Sequence, residues 1–182
     1  MKTHLLLLAL FAIAPSRPPE KGCAWETFSD SAVGLEAWVQ RCDFGSRKVD
    51  FVAQGRSLAI RYSDSGARYD VIDVSDRLPG ESGEAAATRM FAAHADQEFV
   101  AKCAARPYPG ITARKDVQRY IFVPKNRKGL IPDDEVGPPP CGPWGASAEN
   151  IQYYEVHPTK VFFVRVGMNI PLFDEQTLRS TK

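Results

Sequence analysis

The chain has 182 residues, 44% hydrophobic and 25% charged, with 23 Lys plus Arg against 22 Asp plus Glu. That composition can bury a core, and a formal net charge of +1 leaves no basic surplus to attract nucleic acid or an anionic membrane surface.

Residues 5–14, LLLLALFAIA, form one apolar block behind Lys2 and His4. A charged start followed by an apolar run of this length predicts an export signal over residues 1–16, too short to span a bilayer. Ala12-Ile13-Ala14 has small residues at the spacing of a cleavage site, but Pro15 would follow that cut. A cut after Ala14-Pro15-Ser16, before Arg17, avoids the proline. Lipidation of Cys23 is rejected, because Pro19-Glu20-Lys21-Gly22 brings charge and lies beyond the apolar block. Removing residues 1–16 takes away Lys2 and leaves the two signs equal. No second apolar span long enough for a membrane follows, so the expectation is a periplasmic or secreted mature chain, not inserted in a membrane. Residues 17–182 fit a single domain.

Four cysteines in an exported chain predict two disulfides. Three pairings are open, of which Cys23–Cys42 and Cys103–Cys141 join near neighbours in the element order and are preferred. A zinc site is disfavoured, since no C-x-x-C pair or nearby histidine is present.

The strand pattern begins at Leu35. LEAWVQRCDF leads into RKVDFVAQ, Gln54-Gly55-Arg56 makes a turn, and Leu58, Ile60 and Tyr62 alternate with Ala59, Arg61 and Ser63. Asp64-Ser65-Gly66 makes the next turn and RYDVIDV returns, the signature of an antiparallel meander with one buried face. DRLPGESG breaks the pattern. Ser82 or Gly83 then opens an alanine-rich helix to Ala105, with a second break at Ala95-Asp96 that would make two helices of one. DVQRYIFVP is a further strand with Val117, Arg119, Ile121 and Val123 on one face. IQYYEVH and KVFFVRVG form a hairpin through Pro158-Thr159, and IPLFDEQTL ends in a helical turn capped by Asp174. The class is α+β: an antiparallel sheet, meander plus C-terminal hairpin, covered by one or two helices and braced by two disulfides.

Between Pro124 and Asn150 no apolar periodicity survives. This 124–149 loop holds prolines at 124, 132, 138, 139, 140 and 143, and its GPPPCGPWG stretch adds Cys141 and Trp144. Unstructured loops longer than about 12–15 residues are uncommon in compact domains and usually functional or disordered. A bridge from Cys141 to Cys103 would pin the loop near the end of the helix while the prolines stiffen it. Trp144 then reads in two ways, as an exposed anchor for a partner or as a lid folded over the core. On the first reading the recognition surface comprises Trp144, Pro140, Pro143, Lys125 and Arg127.

Catalytic motifs are absent: no G-x-S-x-G elbow, H-E-x-x-H, P-loop or G-x-G-x-x-G occurs. His94 is expected at the core edge with a backbone or side-chain partner, and His157, before Pro158 at a strand end, is expected to be exposed. Asp70 and Asp73 face opposite sides of a strand; Asp73 and Asp76 would approach one another only if the strand bends at Ser75. The acidic run Asp133-Asp134-Glu135 lacks EF-hand spacing and reads as a solvated loop face, its charge balanced by Lys125, Arg127 and Lys128. No cofactor is implied. The plan resembles small exported inhibitors and immunity proteins of bacteria, periplasmic lysozyme inhibitors among them, which pair an antiparallel sheet with a disulfide-braced loop. The absent catalytic motifs together with the braced 124–149 loop give the expectation of a non-catalytic binding protein with a protein partner, and the resemblance points to an envelope enzyme as that partner. The alternatives are an envelope hydrolase using His94 or an Asp73/Asp76 pair in a helix–sheet cleft, and a structural envelope component.

Overall fold

The computed structural model of the chain describes residues 15–43, 48–62, 68–95, 97–108, 114–126, 141, 150–167 and 173–181. Within them β1 (Cys23–Asp30), β2 (Leu35–Asp43), β3 (Lys48–Gln54), β4 (Ser57–Tyr62) and β5 (Arg68–Asp76) form the meander. Two helices follow, α1 (Gly83–His94) and α2 (Gln97–Lys102), and then β6 (Cys103–Pro107), β7 (Gln118–Pro124), β8 (Asn150–Val156) and β9 (Lys160–Gly167). A 3-10 turn (Glu175–Thr177) and the short β10 (Arg179–Ser180) close the chain. The strands pair in the order β1-β2-β3-β4-β5-β9-β8-β7-β6, with β10 against β2, and every described pairing is antiparallel. This is the α+β class expected.

The sheet is bent back on itself. β2 meets β3 only at Cys42 and Asp43, while β10 takes Glu36 and Leu35 at the other end of the same edge, and Phe173 bridges Val39 between them. The start of β2 therefore lies over β5 and β9. At Gly34, where φ is +85°, an added Cβ would stand 3.4 Å from Lys160 Cε and 3.6 Å from Val74 Cγ1. A flat sheet, at about 4.8 Å per strand, would hold β2 and β9 roughly 20 Å apart.

Two cores result, one on each face of the central strands. Leu35, Val39, Ile60, Ile72, Phe162, Val164 and Phe173 fill the space between the first hairpin and the sheet. Ala86, Met90 and Phe91 of α1 meet Phe122, Tyr154, Val161 and Phe163 on the other face. In β9 the four consecutive apolar residues Val161 to Val164 are all buried, because both faces of the strand are covered there. Helix α1 begins at Ser82, whose side chain accepts from Ala85 N at 3.1 Å. Gly83 allows the helix start to press onto β7: an added Cβ would fall 1.9 Å from Gln118 Oε1.

Three expectations change. The helical stretch read through to Ala105 stops at Lys102, because Cys103–Pro107 finds a hydrogen-bonded partner in β7, Cys103 opposite Pro124 and Pro107 opposite Tyr120. Cys23–Asp30, which shows no clean alternation, is a strand paired along its whole length with β2. His157 is buried at 1% exposure, because its main chain closes the β8–β9 turn through His157 N to Lys160 O at 2.9 Å and the ring packs on Phe162, centroids 4.5 Å apart. The preferred disulfides, Cys23–Cys42 and Cys103–Cys141, are both present. Among the described residues no helix is long and apolar enough to cross a membrane.

Candidate functional site

The long loop springs from a regular hairpin. β7 and β8 pair with Gln118 opposite Val156 and Tyr120 opposite Tyr154, and the chain leaves at Pro124 to re-enter at Asn150. Cys141, 4% exposed, is drawn into the helix-side core and bonded to Cys103, with Cα atoms 5.9 Å apart. Since Cys103 is the strand partner of Pro124, the bridge holds an interior point of the segment beside its own root. Lys125 N donates to Lys102 O at 2.9 Å and Lys125 Nζ to Ala101 O at 2.6 Å, so this exposed lysine caps the carbonyl end of α2. Trp144, Pro140, Pro143 and Arg127 lie outside the described residues, as does the acidic run at 133–135.

The helix–sheet cleft is a groove of ≈ 390 Å³, lined by Arg56, Ser57, Asp73, Ser75, Arg89 and His94 among others. His94, last residue of α1, places Nδ1 2.8 Å from Met90 O and Nε2 3.1 Å from Asp73 Oδ2. Its ring lies against Phe163, centroids 4.9 Å apart. Both neighbours are acceptors, so the ring satisfies both only by donating from both nitrogens, as an imidazolium. Burial opposes that charge, but the bonds to Asp73 and to the Met90 carbonyl outweigh it and raise the pKa. Held at both nitrogens, the ring is a clamp between α1 and β5.

Asp76 turns away from this arrangement. Arg56 Nη1 donates to it at 2.7 Å and Lys160 Nζ also reaches it, which holds its carboxyl far below the ordinary range. Asp73 and Asp76 are thus engaged by different cations and do not share a proton. Arg89 is tied down as well, by Nε to Glu81 at 2.9 Å and Nη1 to Ser75 Oγ at 3.2 Å.

Sequence reasoning missed a buried ionic chain on the opposite face. Arg119 Nε donates to Glu155 Oε2 at 2.9 Å and Nη1 to Glu175 Oε2 at 3.3 Å, with the guanidinium 4.9 Å from the centre of the Tyr153 ring. His157 Nε2 lies 2.7 Å from Glu155 Oε1. Burial raises the Glu175 pKa against the opposing pull of Arg119. The signal was legible: Arg119 alternates with Val117, Ile121 and Val123, and a charge at an inward position demands a partner. With Arg119, Glu155 and His157 all buried, the chain fixes β7, β8 and the 3-10 turn to one another and offers no surface to a substrate.

No protein family, curated protein or solved structure matches the chain. Among the described residues no group of three or more His, Cys, Asp or Glu side chains is placed to hold a metal ion.

Proposed function

We propose that this is an exported, non-catalytic binding protein, of the inhibitor or immunity type, that acts on an envelope enzyme through residues 124–149. One observation carries the reading: the Cys103–Cys141 bridge draws an interior point of that proline-rich segment into the core, beside the strand from which it departs. A segment restrained in this way loses less conformational entropy when it meets a partner than a free loop of equal length. Trp144 is the anchor, with Pro140, Pro143, Lys125 and Arg127 around it. The two disulfides fit an oxidising compartment, periplasmic or extracellular.

The hydrolase alternative draws support from the groove between α1 and the sheet, but His94 engages acceptors at both nitrogens there. Pull-down from envelope and secreted extracts, with wild type beside Trp144→Ala, separates the readings. A stoichiometric partner captured by wild type and lost with the variant supports recognition through the loop. Equal capture by both baits overturns the site, and turnover of envelope substrates that disappears in His94→Gln would replace binding with catalysis.

A further inference from the structure

Ser16, the residue at which the sequence reading ends the export signal, is part of the folded domain. Its hydroxyl donates to Asp174 Oδ1 at 2.8 Å and its main-chain N–H donates to Asp174 Oδ2. Asp174 is 2% exposed, and among the described residues its carboxylate also accepts from Gln176 N at 3.0 Å, the bond that caps the 3-10 turn. The following residues continue the attachment. Trp25 Nε1 donates to Arg17 O at 2.9 Å, the Arg17 guanidinium stands 5.7 Å from the Trp25 ring centre, and Glu20 N donates to Gln40 Oε1 at 2.7 Å, where Gln40 is fully buried.

The structure assigns Asp174 as the docking site for the first residues of the mature chain, and so assigns leader processing to a bond on the N-terminal side of Ser16. This rests on the export reading above. A cut before Arg17 would remove both Ser16 donors from a carboxylate that sits in the wall between β2 and the 3-10 turn, and a buried carboxylate without its donors is costly. It would also leave a charged α-amino group at Arg17, next to the carbonyl that Trp25 uses. A cut upstream keeps Ser16 N–H and Oγ on Asp174 and leaves residues 16–22 as a strap across the first hairpin.

Intact-mass measurement and N-terminal sequencing of the protein recovered from the exported fraction test the assignment. The expected N-terminus is Ser16 or a residue before it; Arg17 or any later residue overturns the assignment. A chain found only in the cytosol with its leader uncut counts against export instead, and a thermodynamic cycle on that full chain then decides docking independently. Ser16→Ala is expected to lower the melting temperature by about 2–4 °C in the wild-type background and to change nothing in an Asp174→Ala background. Equal shifts in both backgrounds would mean that the Ser16 hydroxyl does not bind Asp174, which overturns the docking whatever the processing.

Discussion

His94 Nε2 lies 3.1 Å from Asp73 Oδ2, which ties the last residue of α1 to the middle of β5. The bond makes the attachment of α1 dependent on pH. Burial disfavours the charged ring, but the bonds to Asp73 and the Met90 carbonyl raise its pKa. A raised folded-state value means that the contribution is fully present below the unfolded value of about 6.5 and is lost as pH rises through the folded value. Melting curves of wild type and His94→Gln from pH 5 to 9 are therefore expected to differ most at the acid end and to converge on raising pH. Packing of the ring on Phe163 leaves a pH-independent remainder. A gap that stays constant, or widens with pH, would show that the ring is neutral in the fold.

Arg119 is predicted to be the most damaging single charge to remove. Burial works against its guanidinium, yet Tyr153, Glu155 and Glu175 hold it charged, and removal leaves Glu155 buried at 1% exposure with its main cation gone. Breaking a buried pair in this way costs about 3–5 kcal/mol, whereas replacing both members by apolar residues of similar volume recovers much of the loss. Urea denaturation of Arg119→Leu, Glu155→Leu and the double variant reads the pattern directly. Additive losses in the double variant would contradict direct pairing.

These two sites also mark how far the sequence could be read. Strands β3 to β5 and β7 to β9 were legible because their apolar residues alternate or run continuously between turn residues, and the break between α1 and α2 fell where Ala95-Asp96 interrupts the helical spacing. β1 was not legible: Trp25 and Phe28 do not share a strand face, and pairing with β2 supplies the order that side-chain pattern lacks. His157 looked exposed because Pro158 follows it, but its burial comes from Glu155 two residues back and Phe162 across the hairpin. The bend that lays β2 over β9 depends on β10 and Phe173, more than a hundred residues distant in the chain, and no local pattern announces a contact of that range.

Phe91 is predicted to carry most of the apolar attachment of α1. Its ring stacks on Phe122, centroids 4.0 Å apart with 13° between planes, and meets Tyr154 edge-on at 6.2 Å. The other buried residues of the helix are Gly83, Ala86, Ala87 and Met90, mostly too small to fill the space that Phe91→Ala would open. The expected loss is about 3–5 kcal/mol by denaturant titration, larger than for Met90→Leu, which conserves volume and should cost under about 1.5 kcal/mol. Comparable losses for the two variants would place the weight of the attachment elsewhere on the helix.

The two disulfides are expected to separate stability from recognition. Cys103–Cys141 spans 38 residues and Cys23–Cys42 spans 19, so in the chain-entropy picture they stabilise by about 4 and about 3 kcal/mol respectively. The first hairpin keeps its ladder from Ala24 to Asp30 when Cys23 and Cys42 are both replaced by alanine, and partner binding should then be unchanged at temperatures where the protein stays folded. Replacing Cys103 and Cys141 removes the clamp beside Pro124 while leaving Trp144 in the chain. Binding should then weaken, chiefly through faster dissociation, even under conditions where circular dichroism shows the sheet intact. Titration of the captured partner with both double variants makes the comparison. If the Cys103/Cys141 variant binds as tightly as wild type, the bridge serves stability alone and the recognition surface lies away from residues 124–149.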